Sequence, residues 1–286
     1  MLTTRTKVTL AGGAYKFISL SRKLFGKGDS ATVRRGGIRY HLDLNEGIDF
    51  SIFLLGAFEA GTQKTLQKLV KPGDVVFDIG ANIGAHTLGI AQSVGSSGKV
   101  YAFEPADFAF AKLKRNLALN PELDARTLPQ QILLAANLTE RSEPRIYASW
   151  PLESDANVHP RLRSRLVSAE RAVVETLDNF ILREGITRLD LIKMDVDGHE
   201  LPVLQGAGET LRRFQPTLVM EMSPYIHAEF HHSFAQFVEI LKQAGYSLRN
   251  TDTGRPVPLD AAQLERLIPD GASINVVAQS KRGPAL

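Results

Sequence analysis

The stretch Val75-Val76-Phe77-Asp78-Ile79-Gly80-Ala81-Asn82-Ile83-Gly84-Ala85-His86-Thr87 narrows most what this chain can become. It opens after a Pro72-Gly73-Asp74 turn as a short apolar run, which reads as a buried parallel strand. It then passes an acid and a Gly-x-x-x-Gly loop, and continues into Thr87-Leu88-Gly89-Ile90-Ala91, which can begin a helix. Strand, glycine loop and helix form the βα turn used by nucleotide-binding α/β sheets. Glycine suits such a loop because the backbone turns sharply and nears a ligand where a Cβ would clash. The helix that follows turns its free N–H groups toward the same space, which favours an anionic or strongly polar ligand there.

Two acids sharpen the reading. Asp78, at the strand's end, is expected to face the pocket. The next strand, Lys99-Val100-Tyr101-Ala102-Phe103, ends at Glu104-Pro105, twenty residues beyond Gly84, where an acid can accept both hydroxyls of a ribose. A dinucleotide turn needs G-x-G-x-x-G, and the central glycine is missing from Gly80-Ala81-Asn82-Ile83-Gly84. Asp78 would repel a pyrophosphate, whereas it can pair with an ammonium. S-adenosylmethionine, with an ammonium at its methionine end and a free ribose diol, suits this combination. A βα turn that binds nothing is the bland alternative.

A chain of 286 residues holds one large α/β domain with decoration, or two small ones, at about 100 to 200 residues per domain. It has no cysteine, which removes disulfides, thiolate zinc sites and a cysteine nucleophile. No apolar run approaches the roughly 18 residues that span a bilayer, and no secretory signal pattern leads the chain, so a cytoplasmic protein is expected. Net charge is +3, but residues 1–40 hold nine bases against Asp29 alone. Such a segment can touch nucleic acid or an anionic membrane, or be a solvated helix with a few bases; no nucleic-acid partner is expected.

Residues 1–30 pattern as one amphipathic helix, and Thr32–Leu44 as a short strand pair around Gly36-Gly37. Residues 1–55 are therefore expected to form a basic cap or dimer contact, with a homo-oligomer an open option, ahead of a catalytic domain over 56–286. Glu59 precedes a helix over 63–70, beside the glycine loop, and by itself reads as a surface cap. After the crossover helix over 109–120, Ile132-Leu133-Leu134-Ala135-Ala136-Asn137 is expected to be the third strand, with Asn137 at its end to meet an adenine. Residues 138–172 break the βα rhythm with Trp150, three prolines and Arg161, Arg163 and Arg165; an inserted hairpin and loop near the site is expected.

A second informative stretch is Leu189-Asp190-Leu191-Ile192-Lys193-Met194-Asp195-Val196-Asp197-Gly198-His199-Glu200. Its strand ends in a cluster of ionisable residues, and the next strand, Thr217-Leu218-Val219-Met220, ends at Glu221. Many ionisable groups at one sheet edge cost desolvation and need a reason, such as a ligand, a proton transfer or a metal. Asp195, Asp197, His199 and Glu221 are hard-cation donors, so magnesium stays an option, but their spacing fits no known loop and no metal ligand is assigned. His227, His231 and His232 follow with spacing too irregular for a zinc site. Two more strands, around residues 246–249 and 273–278, would complete a seven-stranded, mostly parallel sheet with its last strand antiparallel.

Taken in order, Phe77-Asp78-Ile79-Gly80-Ala81-Asn82-Ile83-Gly84, Ala102-Phe103-Glu104-Pro105, Lys193-Met194-Asp195-Val196-Asp197-Gly198-His199-Glu200 and Val219-Met220-Glu221 resemble the FkbM-type S-adenosylmethionine-dependent methyltransferases. The likeness runs from about residue 56 to 277. It implies a class I methyltransferase (Rossmann-like) α/β fold and O-methylation of a small molecule's hydroxyl, on a sugar, glycolipid or polyketide-like compound. Asp78, Gly80, Asn82, Gly84 and Glu104 would hold the cofactor, with Ala81 and Pro105 beside them and Glu59 and Asn137 as lesser contacts. Family members often carry Glu at the position of Asp197. A hydroxyl must lose its proton, so a general base is needed: Asp195 and His199 lead, and Lys193 and Glu221 pair and orient. A non-catalytic module binding through its basic N-terminus, and a nicotinamide-dependent oxidoreductase, are the alternatives; the intact loop and the missing central glycine speak against them in turn.

Overall fold

The computed structural model describes residues 4–138, 146–148, 150–152, 158–162 and 164–280. A helix, Thr4–Leu24, leads into an antiparallel hairpin of β1 (Ser30–Arg35) and β2 (Ile38–Asp43). The chain then lays down β3 (Val75–Ile79), β4 (Lys99–Phe103), β5 (Thr127–Gln130) and β6 (Ile132–Leu134). Next come β7 (Ile146–Ala148), β8 (Arg165–Val167), β9 (Val173–Glu175), β10 (Leu191–Met194) and β11 (Thr217–Met222), then β12 (Tyr246–Asn250), β13 (Pro256–Val257) and β14 (Ile274–Ser280).

Eight of these strands form one sheet in the order β13-β12-β14-β11-β10-β3-β4-β5. The strands from β11 to β5 are parallel, and β14 runs against both its neighbours, β11 and β12. With helices on both faces, this is the class I methyltransferase architecture that the resemblance implies. The two-residue edge strand β13 is an eighth member beyond the seven expected.

The sheet is buried on both sides because its strands are apolar at successive positions, and the two-residue pleat sends neighbours to opposite faces. In β3, Phe77 and Ile79 enter the core under the helices Leu177–Arg183, Glu200–Gln205 and Phe234–Gln243, while Val76 joins the opposite core. That second core also takes Tyr15, Ile38, Tyr40 and Leu42, so the leading helix and hairpin cover one face of the sheet. Asn116 of the helix Asp107–Ala118 and Asn120 just beyond it fix β2 there, accepting from the His41 and Arg39 amides at 2.8 and 2.9 Å.

The third sheet strand is β5, not residues 132–137. An edge strand needs burial on little of its length, and β5 accordingly is buried only at Thr127 and tolerates Pro129. Ile132–Leu134 instead pairs in parallel with β9 in a separate two-stranded sheet. Within the insert, β7 and β8 pair antiparallel. Arg161 is engaged by Glu229 and Asp270, and Arg165 by Glu46 at 2.9 Å; Arg163 lies outside the described residues.

Candidate active site

The parallel register sets Asp78 of β3 directly beside Lys193 of β10. Both are buried, and the Lys193 ammonium lies 3.2 Å from Asp78 Oδ1 and 4.0 Å from Asp195, and donates to the Gly80 carbonyl at 2.9 Å. Burial works to lower the Lys193 value, but the Asp78 and Asp195 carboxylates outweigh it, and it stands above the ordinary lysine value. The other oxygen of Asp78 accepts from Thr87 Oγ1 at 2.6 Å. Asp78 is thus turned into the protein, lines neither cleft described below, and does not face the pocket as its position at a strand end implies.

The glycine loop closes over this pair. Gly80 has φ +79°, and a Cβ there would sit 1.8 Å from the Asp195 carbonyl oxygen. Glycine is required there by the backbone just beyond β10. Asn82 adopts a left-handed φ of 48°, and its amide donates to Glu104 Oε2 at 2.8 Å, while the Ala106 amide donates to Oε1 at 2.8 Å. Burial pushes the Glu104 carboxyl up to about 7 against the pull of those two amides. Gly84, at φ +89°, leaves room for Leu113 and lies beneath the loop.

Two clefts open above the strand ends, and they share Gly80, Asn82, Asp195 and Asp197. The first, about 560 Å³ and open to solvent, runs over Glu104 and Pro105 to Ile132–Leu134, Tyr147 and His199. Among the described residues its lining holds three carboxylates, Glu104, Asp195 and Asp197, and neither lysine nor arginine. Asp197 has a left-handed backbone at φ 48°; such a conformation is costly for a non-glycine and clusters at functional sites. Burial, then the charges of Asp195 and Glu200, raise its carboxyl well above the usual range. Burial and His232 lower the His199 imidazole to about 4, and its ring packs 4.8 Å from that of Phe230.

The second cleft, about 450 Å³, is walled by Ile48, Phe58, Ala81, Ala85, His86, Trp150 and Lys193. Phe58 and Trp150 pack with ring centroids 5.8 Å apart. His86 is buried; its Nδ1 faces Gln63 Oε1 at 3.1 Å, and its Nε2 has no hydrogen-bond partner among the described residues. Burial, helped by Lys193, lowers this imidazole to about 3, so the ring is neutral. With its proton on Nδ1, directed at the Gln63 carbonyl oxygen, Nε2 is left a buried acceptor in a residue that lines the cleft.

Glu221 and Glu59 stand outside both clefts. Glu221 lies opposite Asn275 in the register, and Asn275 donates to Glu59 at 3.1 Å, as does Thr62. Burial, then Asp195 and Glu59, raise the Glu221 carboxyl well above its ordinary value. Asn137 is exposed, three residues beyond β6, and lines neither cleft. Among the described residues no group of three or more His, Asp or Glu is arranged to hold a metal ion. His86, Trp150 and Phe58 carry no assignment from the sequence; the signal for His86 was its place between Gly84 and the helix Thr87–Ser93.

Residues 78–248 match the methyltransferase FkbM domain. This chain belongs to the FkbM methyltransferase family. It is 30% identical over 162 residues to the methyltransferase sdnD of Sordaria araneosa, over 47% of this chain and 60% of that one. It is 29% identical over 159 residues to the 31-O-demethyl-FK506 methyltransferase FkbM of Streptomyces tacrolimicus, over 48% and 60%. It is 27% identical over 158 residues to the hexuronic acid methyltransferase AglP of Haloferax volcanii, over 53% and 59%. These matches span about 60% of the length of the curated relatives. Among the described residues no helix is long and apolar enough to cross a membrane.

Proposed function

We propose that this FkbM-family chain is an S-adenosylmethionine-dependent methyltransferase that methylates a hydroxyl of a sugar, glycolipid or polyketide-like small molecule. The observation that carries this is the lining of the first cleft: among the described residues it holds three carboxylates and neither lysine nor arginine, and burial holds two of the carboxylates above their ordinary values. Carboxylates gathered at one sheet edge cost desolvation, and a cationic ligand would offset that cost. S-adenosylmethionine, when bound, supplies a methyl group on a positively charged sulfur, together with an ammonium and a ribose diol. A nicotinamide dinucleotide would bring a pyrophosphate to the same acids.

Glu104 and Pro105, at the end of β4, would hold the ribose side, and Asp195 and Asp197 the cationic side. Asp195 faces both clefts, so its carboxylate can take the proton of an acceptor hydroxyl placed in the second one. His86 Nε2, neutral and unpartnered, can accept a hydrogen bond from that acceptor and orient it. Lys193, tied to Asp78, fixes where Asp195 sits. His199 lines the first cleft alone, which makes it the weaker base. The aromatic walls Phe58 and Trp150 suit a ring-bearing acceptor, and the name of the FK506 relative supports an oxygen acceptor.

Calorimetric titration of the purified chain with S-adenosylhomocysteine and, separately, with NAD tests the reading. Binding of the first alone is expected, weakened by about tenfold to a hundredfold in Glu104→Ala, the range for a lost hydrogen bond to a charged group. Binding of NAD, or of neither compound, would refute it.

A further inference from the structure

The helix Thr4–Leu24 has two apolar faces where a helix lying on a domain needs one. Its inner face is accounted for: Tyr15 is buried edge-on against Phe50 at 5.7 Å, and Ser19 is buried beside it. Its outer face bears Phe17, Leu20 and Leu24, which are 77, 62 and 79% exposed. Their spacing of three and four residues stacks them in one stripe. Phe25, 81% exposed, continues it. The adjacent helix, Gly47–Leu55, ends in Leu55, exposed to a similar degree. Large apolar side chains gathered this way on a water-facing surface mark a docking site.

Charge identifies the occupant. The helix contains no acid. Lys16 and Lys23, seven residues apart and therefore on one side of the helix, flank the stripe, and both are exposed, as is Lys27 beyond it. Arg22 is spent internally on the Gly28 and Ser30 carbonyls and over the Phe53 ring. A second copy of this face would bring the same cations against these and be repelled. An RNA would answer the lysines and leave Phe17, Leu20 and Leu24 in water. An anionic leaflet satisfies both, with apolar side chains in the acyl boundary and lysines reaching the headgroups.

We propose that the outer face of the N-terminal helix, Phe17, Leu20, Leu24 and Phe25 with Lys16, Lys23 and Lys27, docks the chain on an anionic membrane surface. This is independent of the methyltransferase reading. The helix Gly47–Leu55 carries both Ile48, in the lining of the second cleft, and Phe53, under the Arg22 guanidinium of the N-terminal helix, so the docked face and that cleft share one element.

Flotation of the full chain with vesicles of phosphatidylcholine alone, and of equimolar phosphatidylcholine and phosphatidylglycerol, tests it. Recovery with the anionic vesicles only is expected, and it should fall as salt screens the lysines. Replacing Lys16, Lys23 and Lys27 together by Gln should weaken partitioning by on the order of a hundredfold, at about fivefold per cation. The triple substitution Phe17→Ser, Leu20→Ser, Leu24→Ser should abolish it. All six positions are exposed, so both variants should melt with the parent chain. Failure of the parent to float with anionic vesicles would overturn the proposal, as would flotation indifferent to both variants. So would a dimer in sedimentation velocity that the serine variant dissolves, or RNA binding that the serine variant keeps while vesicle binding is absent.

Discussion

The two clefts share Gly80, Asn82, Asp195 and Asp197 but are assembled differently. The first is edged mostly by residues at or just beyond strand ends, Ile79, Glu104, Leu134 and Asp195, whose places follow from the parallel register. The second borrows its walls from elsewhere: Ile48 and Phe58 from the segment before β3, His86 from the loop, Trp150 from the insert. A backbone hydrogen bond from Gly47 to the Trp150 carbonyl at 2.8 Å ties two of those walls together. A regular sheet can thus keep one ligand site while loops outside it supply another, which is how one fold serves many acceptors.

The buried pair beneath both clefts is where they should fail together. In Asp78→Ala the Lys193 ammonium stays buried with its nearest carboxylate gone, and Thr87 loses its acceptor. A loss of about 3–5 kcal/mol of folding stability is expected, read from urea denaturation. If stability held and only cofactor affinity fell, Asp78 would belong to the first cleft after all and the inward reading would be wrong.

The clefts should separate at His86. His86→Phe keeps an aromatic ring in the wall and removes the bare Nε2 acceptor. S-adenosylhomocysteine affinity should be unchanged, and kcat with a hydroxyl acceptor should fall about tenfold, the scale of one hydrogen bond at 1–1.5 kcal/mol. An equal loss in both quantities would mean that His86 acts on the shared floor and not on the acceptor.

The same division explains what could be read in advance. The βα turn, Glu104 and the acid cluster after β10 were legible because each lies in one short run whose pattern states its structure. The third strand was not: Pro129 disguised β5, and the more apolar 132–137 run looked the better strand. The inward turn of Asp78 needed the partner across the register, Lys193, more than a hundred residues away in sequence. The loop's need for glycine is legible at Gly80, but the atom that forbids a side chain there, the Asp195 carbonyl, is equally distant in the chain. His86 and Trp150 meet only through tertiary packing, and no local period announces them.

The smallest expected difference between the clefts is in their response to pH. Burial raises Glu104, and Glu200 just behind Asp197, from 4.5 to about 7. A raised carboxyl is protonated in the folded chain while ionised when unfolded. Its stabilising contribution is therefore complete below about 4.5 and is lost as pH rises through about 7. The ligand-free chain should lose stability across that window, and Glu104→Gln should flatten the slope. A cation entering the first cleft reverses the balance by favouring the ionised carboxylates, so binding should release protons near neutrality. S-adenosylmethionine, with its extra positive charge, should release more than S-adenosylhomocysteine, as measured by calorimetry in buffers of different ionisation enthalpy. His86, near 3, stays neutral throughout, so its wall of the second cleft contributes no proton to that difference. Equal release by the two compounds would show that the carboxylates answer to the amino-acid end alone and not to the sulfur.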